Sequence, residues 1–345
     1  HLGAAMPWLG IDPAITPTTD DYLRAVAFGM PGMCLFLVNR YVAEGSGRTR
    51  PIMVVQLLGL AVNAVADYAL MFGRLGLPAL GAEGAGWASA LAMWLSGLAM
   101  LVYVATARRY RPLILFRRPE PPAAAAMGRL LRLGLPIAAT MVLEMGLFSA
   151  VALLMGRLGP VAVAAHQVAI NFAALAFMVP LGLSMGITVR VGHAIGAGRP
   201  GQARLAGLVG MAMGTSVMAL SATAMILVPE AIVGIYTSDP AVTRVAVSLL
   251  AMAAMFQLAD GLQVTALGAL RGLKDTTWPM VVSLVAYWGV GLPLAWYLGL
   301  VAAYGARGLW VGLIAGLVLA AVALALRFRH RSARRSPAAA SGPLV

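Results

Sequence analysis

The chain has 345 residues, of which 61% are hydrophobic and only 11% charged, against roughly 25% charged in an ordinary soluble domain. That balance excludes a soluble globular protein and a disordered one. The formal net charge is +13, but the arginines fall between apolar runs, which points to the positive-inside bias of a membrane protein and away from a nucleic-acid partner. The single cysteine, Cys34, excludes an intrachain disulfide and a multi-cysteine metal site.

Residues 1–18, with Asp12-Pro13 and Pro17, read as the tail of an earlier helix followed by a loop. The first residue is His, with no charged and then apolar leader pattern, so the expectation is a fragment without a signal peptide. Nine apolar runs follow, each long enough to cross a bilayer: 19–41, 51–73, 84–107, 127–156, 161–189, 202–228, 241–270, 277–303 and 306–327.

The second run carries Asn63 and Asp67, one turn apart. Asp67 is about 10 Å by helix rise from Arg74, so an interfacial pair with Arg74 is as good a reading as a cavity role. After the third run comes the longest connection, 108–126, rich in arginine, proline and alanine, which reads as a semi-stiff linker. It sets the predicted organisation. Residues 1–107 form one lobe of three spans, and 127–327 a second lobe of six. A basic, flexible tail occupies 328–345.

The fourth run holds Glu144, roughly 18–20 Å by helix rise from both Arg132 and Arg157 and so close to the bilayer midplane. Pro136 bends the helix below it, and Phe148 shares its face. On the fifth run Gln167 and Asn171 stand one turn apart and either line a cavity or bond a neighbouring helix. His166 and His193, near opposite ends of that run, read as interfacial. The seventh run holds Asp260, with Gln257, Gln263 and Phe256 around it on what reads as one polar stripe.

A carboxylate in hydrocarbon costs on the order of 3 kcal/mol on insertion scales. Glu144 and Asp260, at matching depth, therefore point to a proton or cation site, with Na⁺ possible between them. Gly182/Gly186, Gly268/Gly272 and Gly312/Gly316 have the spacing of close helix contacts.

Charge sets the orientation. The connections 40–50, 108–132, 190–204, 271–274 and 327–335 hold 20 of the 25 Lys+Arg residues. The alternate side holds Arg24, Arg74, Arg157, Arg244 and Arg307. The expectation is a multi-pass protein of a bacterial inner membrane with its C-terminus in the cytoplasm. An internal repeat crosses the linker. Arg48-Thr-Arg-Pro51-Ile-Met53 and Gly81-Ala-Glu-Gly84 are matched in order by Arg271-Gly-Leu-Lys-Asp-Thr-Thr-Trp-Pro279-Met280 and Gly305-Ala-Arg-Gly308. Spans one to three then correspond to seven to nine, which predicts a six-plus-six transporter plan with three spans missing in front. No Walker A, His-Glu-x-x-His or Gly-x-Ser-x-Gly motif is present, which disfavours ATP-driven transport and a membrane enzyme.

Three segments carry a family resemblance. Val163-Ala-Ala-His-Gln-Val-Ala-Ile-Asn171-Phe172, continuing to Arg190-Val-Gly-His193, resembles the eighth helix of multidrug and toxic compound extrusion (MATE) transporters of the NorM-like branch. Met141-Val-Leu-Glu144-Met-Gly-Leu-Phe148 resembles their seventh helix. Gly268-Ala-Leu-Arg-Gly-Leu-Lys-Asp-Thr276 resembles the loop after their tenth. The resemblance implies an all-α, two-lobe bundle with about nine of twelve helices present. It implies a monomer that uses no cofactor and exports cationic drugs or toxins in exchange for H⁺ or Na⁺. It maps the family's acidic pair onto Glu144 and Asp260 and part of its N-lobe polar cluster onto Asn63. Asp67 stands where asparagine is expected, and Phe256 where relatives carry tyrosine. The rival within the superfamily, a lipid-linked oligosaccharide flippase, would place basic residues inside the spans, and these spans contain essentially none.

Overall fold

The computed structural model describes residues 16–74, 76, 78–108, 110 and 123–334. The run 1–15, most of the expected linker and residues 335–345 of the expected tail lie outside the described residues. Among the described residues the structure is helical, with no strand. The chain divides into two units, His1–Pro121 and Pro122–Val345.

The first unit contains α1 (Thr16–Gly45), α2 (Arg50–Phe72) and α3 (Gly81–Thr106). Gly73 ends α2 in the left-handed region, where glycine carries no Cβ penalty. The second unit contains α4 (Ala124–Gly156), α5 (Pro160–Gly196), α6 (Pro200–Leu227), α7 (Pro229–Gly234) and α8 (Pro240–Gly272). It closes with α9 (Thr277–Val301) and α10 (Gly305–Arg334). Proline opens α2, α5, α6 and α8, where its missing N–H costs nothing. Asp239 caps α8 through the Ala241 N–H.

Nine of these helices are long and apolar enough to cross a membrane. They turn large apolar side chains outward, among them Val142, Leu153, Leu175, Leu220 and Leu326. Water would not tolerate that much exposed hydrocarbon, and lipid would. The protein is a multi-pass membrane protein.

The core of the second unit is α8, which packs against α5, α6 and α10. Close approach comes from small residues. A Cβ on Gly268 would meet the backbone and hydroxyl of Ser184, and one on Gly272 would meet the Thr188 carbonyl. In the space so left, Ser184 donates to the Val264 carbonyl at 2.7 Å and Thr188 to the Gly268 carbonyl at 2.8 Å, tying α5 to α8. Gly312 and Gly316 likewise face the backbone of α9. Gly182 and Gly186 do not follow the expectation, because both face open space. Their spacing gives a small-residue stripe, but among the described residues of the second unit no helix lies against it.

In the first unit α3 packs on both α1 and α2, and in the second α10 packs on both α8 and α9.

Other departures from the expectations have local causes. α5 runs to Gly196, past the expected end at 189, since the lone Gly192 does not stop it and the Gly/Pro cluster comes only at Gly196-Ala-Gly198-Arg-Pro200. α10 continues to Arg334 with Phe328 and Ser332 buried, so residues 328–334 belong to the bundle and not to a flexible tail. The short α7 is held by its buried Ile232 and Val233 and packs on α8. α9 is not a uniform α-helix. It widens into π-helical turns at Leu284–Gly291 and Tyr297–Val301. Pro293 has no N–H and its ring crowds the preceding turn, so a wider turn relieves the clash.

Candidate functional site

Glu144 lies midway along α4, and its position is set by a contact between α4 and α9. The Trp288 indole donates to the Leu143 carbonyl at 3.1 Å and its ring lies over Gly146, where a Cβ would collide with it. Glu144 is therefore turned toward α8 and α9. On α8, Asp260 is 5% exposed, and Gln257 and Gln263 are fully buried. Asp260 and Glu144 are close enough to interact electrostatically, and the Gln263 side chain reaches the Glu144 carboxyl.

The sequence reading missed a further member, Tyr287, which is fully buried on the π-helical part of α9. Its hydroxyl accepts a hydrogen bond from Gln263 Nε2 at 2.8 Å, and it lies within electrostatic reach of both carboxyls. The signal was available in principle: Gly289, Gly291 and Pro293 mark an irregular helix, and irregular helix in a membrane span lies against protein or a cavity.

Phe256, one turn before Asp260 on α8, joins an aromatic row. Phe148 meets Phe256 edge-on at 5.9 Å between ring centres, Phe256 meets Trp310 at 5.8 Å, and Trp310 meets His166 at 5.7 Å. Four helices thus contribute to one aromatic row. His166, near the start of α5, is buried against Trp310.

The expected polar stripe on α8 is also corrected. Gln257 donates to Ser221 Oγ of α6 at 2.9 Å, while Gln263 turns to α9. At about 100° per residue the two positions are separated by roughly 120° around the helix, so they serve different neighbours. Both amide oxygens, Gln257 Oε1 and Gln263 Oε1, are buried without a hydrogen-bond donor. An unmet acceptor beside two carboxyls has a use for a proton or a cation.

The remaining candidates stand apart from this cluster. Gln167 and Asn171 bond to each other at 3.0 Å and lie on the exposed face of α5, a polar patch that hydrocarbon would not cover cheaply. In the first unit Asn63 and Asp67 are half-buried on α2. Asp67 makes no salt bridge to the exposed Arg74, and its Oδ1 is buried without a hydrogen bond. Among the described residues no group of three or more His, Cys, Asp or Glu side chains could hold a metal ion.

Comparison with known proteins places the chain in a family. A family model described as MatE matches residues 6–69 and 136–297. A probable multidrug resistance protein NorM of Xanthomonas axonopodis pv. citri is 47% identical over 329 residues, 95% of this chain and 72% of that protein. The multidrug resistance protein PmpM of Pseudomonas aeruginosa is 45% identical, over 96% of this chain and 72% of that protein. Among solved structures, the eukaryotic MATE transporter AtDTX14 superposes with a TM-score of 0.83 at 21% identity, over 96% of this chain and 75% of that one. A MATE transporter in the bent conformation gives 0.87 at 18% identity, over 99% of this chain and 74% of that one. At those identities the structures speak for the fold, and the family match and close relatives speak for descent. The chain belongs to the MatE family of membrane transporters.

Proposed function

We propose that the protein is a multidrug exporter that exchanges cationic lipophilic compounds for protons by alternating access, in a bacterial inner membrane, with its C-terminus in the cytoplasm. The relatives' names, multidrug resistance proteins, support the substrate class. The charge bias supports the orientation. The observation that carries the reading is the pairing of Glu144 and Asp260 in the interior of the second unit with Gln263 and Tyr287 around them.

Two negative charges in such an interior are costly, and binding a proton or a cationic drug removes part of that cost. An occupant that binds one arrangement of the transporter better than the other shifts the population between them, so uptake of one cation favours release of the other. Protons are favoured over Na⁺ because of what surrounds the carboxyls. Sodium wants several oxygens, and Phe256 offers none. A protonated carboxyl instead supplies the O–H that an unmet amide oxygen such as Gln263 Oε1 can accept.

The test is ethidium transport in everted vesicles from cells expressing the complete gene. Glu144→Gln and Asp260→Asn should each lower transport at least about tenfold while leaving membrane insertion intact, because a neutral amide is cheaper to bury than a carboxylate. Parental rates in both would remove the ion-site assignment. An imposed pH gradient should drive transport with no sodium present. Activity only under a sodium gradient would overturn the proton and leave the exchanger. Retained dye together with altered cell-wall lipid would point to the flippase.

A further inference from the structure

Past the end of α8, the chain turns into α9 beside the last turns of α10. A cavity of about 370 Å³ opens there, lined by Lys274, Asp275, Trp278, Val281, Arg327 and Arg331, among others. Asp275 Oδ2 accepts from Arg327 Nε at 3.0 Å and from Arg331 Nε at 3.1 Å. Both bonds use Nε, which leaves the terminal N–H groups of each guanidinium for another acceptor. One carboxylate shared by two arginines leaves a net positive charge. Lys274, exposed and in no salt bridge among the described residues, adds to it. Lys274 stands at φ 58°, in the left-handed region, in the turn at the mouth of the cavity.

Below this cationic mouth the surface becomes apolar. The Arg327 guanidinium lies 4.8 Å from the centre of the Trp278 ring, and Trp278 is itself 45% exposed. Val281, Leu284 and Val285 continue the exposed surface along α9. A positive pocket that runs into an apolar strip on a membrane-crossing helix matches an amphiphile, with the anionic head above and the hydrocarbon below. A soluble anion has no use for the strip. We propose that this cavity binds the phosphate headgroup of an anionic phospholipid, with an acyl chain lying along α9. The connection that carries it is on the basic side of the membrane, where anionic lipid and positive loops meet.

The experiment is native mass spectrometry of the complete gene product in detergent, titrated separately with phosphatidylglycerol, phosphatidylcholine and inorganic phosphate. Phosphatidylglycerol should bind saturably and at least about tenfold more tightly than either of the others. Lys274→Gln should lower that affinity about fivefold, and Lys274→Gln with Arg331→Gln on the order of twentyfold. Asp275→Asn removes the competing negative charge and should raise it. If the bridge were purely structural, Asp275→Asn would loosen the pocket and lower it. The Lys274 side chain makes no hydrogen bond or salt bridge among the described residues and only the backbone N–H is engaged, donating to the Arg271 carbonyl at 2.9 Å, so Lys274→Gln keeps the test valid even where the double variant fails to fold. Equal retention of the two lipids, unchanged affinity in Lys274→Gln, or a lower affinity in Asp275→Asn would overturn the site. Phosphate binding as tight as the lipid's would overturn the lipid.

Discussion

Tyr287→Phe isolates one oxygen at the centre of the second unit. In the native protein that oxygen accepts from Gln263 Nε2 at 2.8 Å, and both side chains are fully buried. Phenylalanine keeps the ring and its packing and strands the amide N–H, in a site where Gln263 Oε1 already lacks a donor. A buried polar group left unpaired costs about 1–3 kcal/mol, or roughly a five- to 150-fold fall in the folding equilibrium. Adding Gln263→Leu removes the stranded group, so the double variant should recover most of the loss, since replacing both partners by apolar groups is nearly neutral. The measurement is unfolding of the purified protein in mixed micelles titrated with sodium dodecyl sulfate, followed by tryptophan fluorescence. Transport is a second readout. Because Gln263 reaches Glu144, the double variant should regain stability without regaining ethidium transport. A parental midpoint for Tyr287→Phe, or a double variant whose loss is the sum of the two single losses, would refute the reasoning. Full transport by the double variant would show that the pair has no part in positioning Glu144.

Two further predictions concern topology and packing. In a Cys34→Ala background, a cysteine at Pro78 should react with an impermeant maleimide added to intact spheroplasts and one at Arg199 should not; the reverse pattern would invert the charge-based orientation. Gly268→Ala should lower the unfolding midpoint by an amount equivalent to about 1–3 kcal/mol, because the methyl meets Ser184 and pushes α5 from α8. Gly182→Ala, facing open space, should leave it unchanged or raise it slightly. Equal losses in the two variants would mean that the α5–α8 contact is not the one described.

Nine spans were legible in the sequence because the length of an apolar run against the thickness of a bilayer is a local property. Glu144 and Asp260 stood out for a similar reason, since a carboxylate inside such a run is costly wherever it points. What a residue faces is a different matter. Gln257 and Gln263 sit three residues either side of Asp260, yet one turns to Ser221 and the other to Tyr287. His166 gave no sign in the sequence that Trp310, from the far end of the chain, would cover it. Gly182/Gly186 and Gly268/Gly272 share one spacing, and among the described residues of the second unit only the second pair has a helix against it. Tyr287 did not stand out, because its place depends on π-helical turns in α9 and on α8 lying alongside. Sequence by itself determined which segments enter the membrane and which charges they carry, since both follow from transfer of each segment out of water. Only the tertiary structure decided which faces meet, because the rotation of each helix about its axis is set by the side chains of helices distant in the chain.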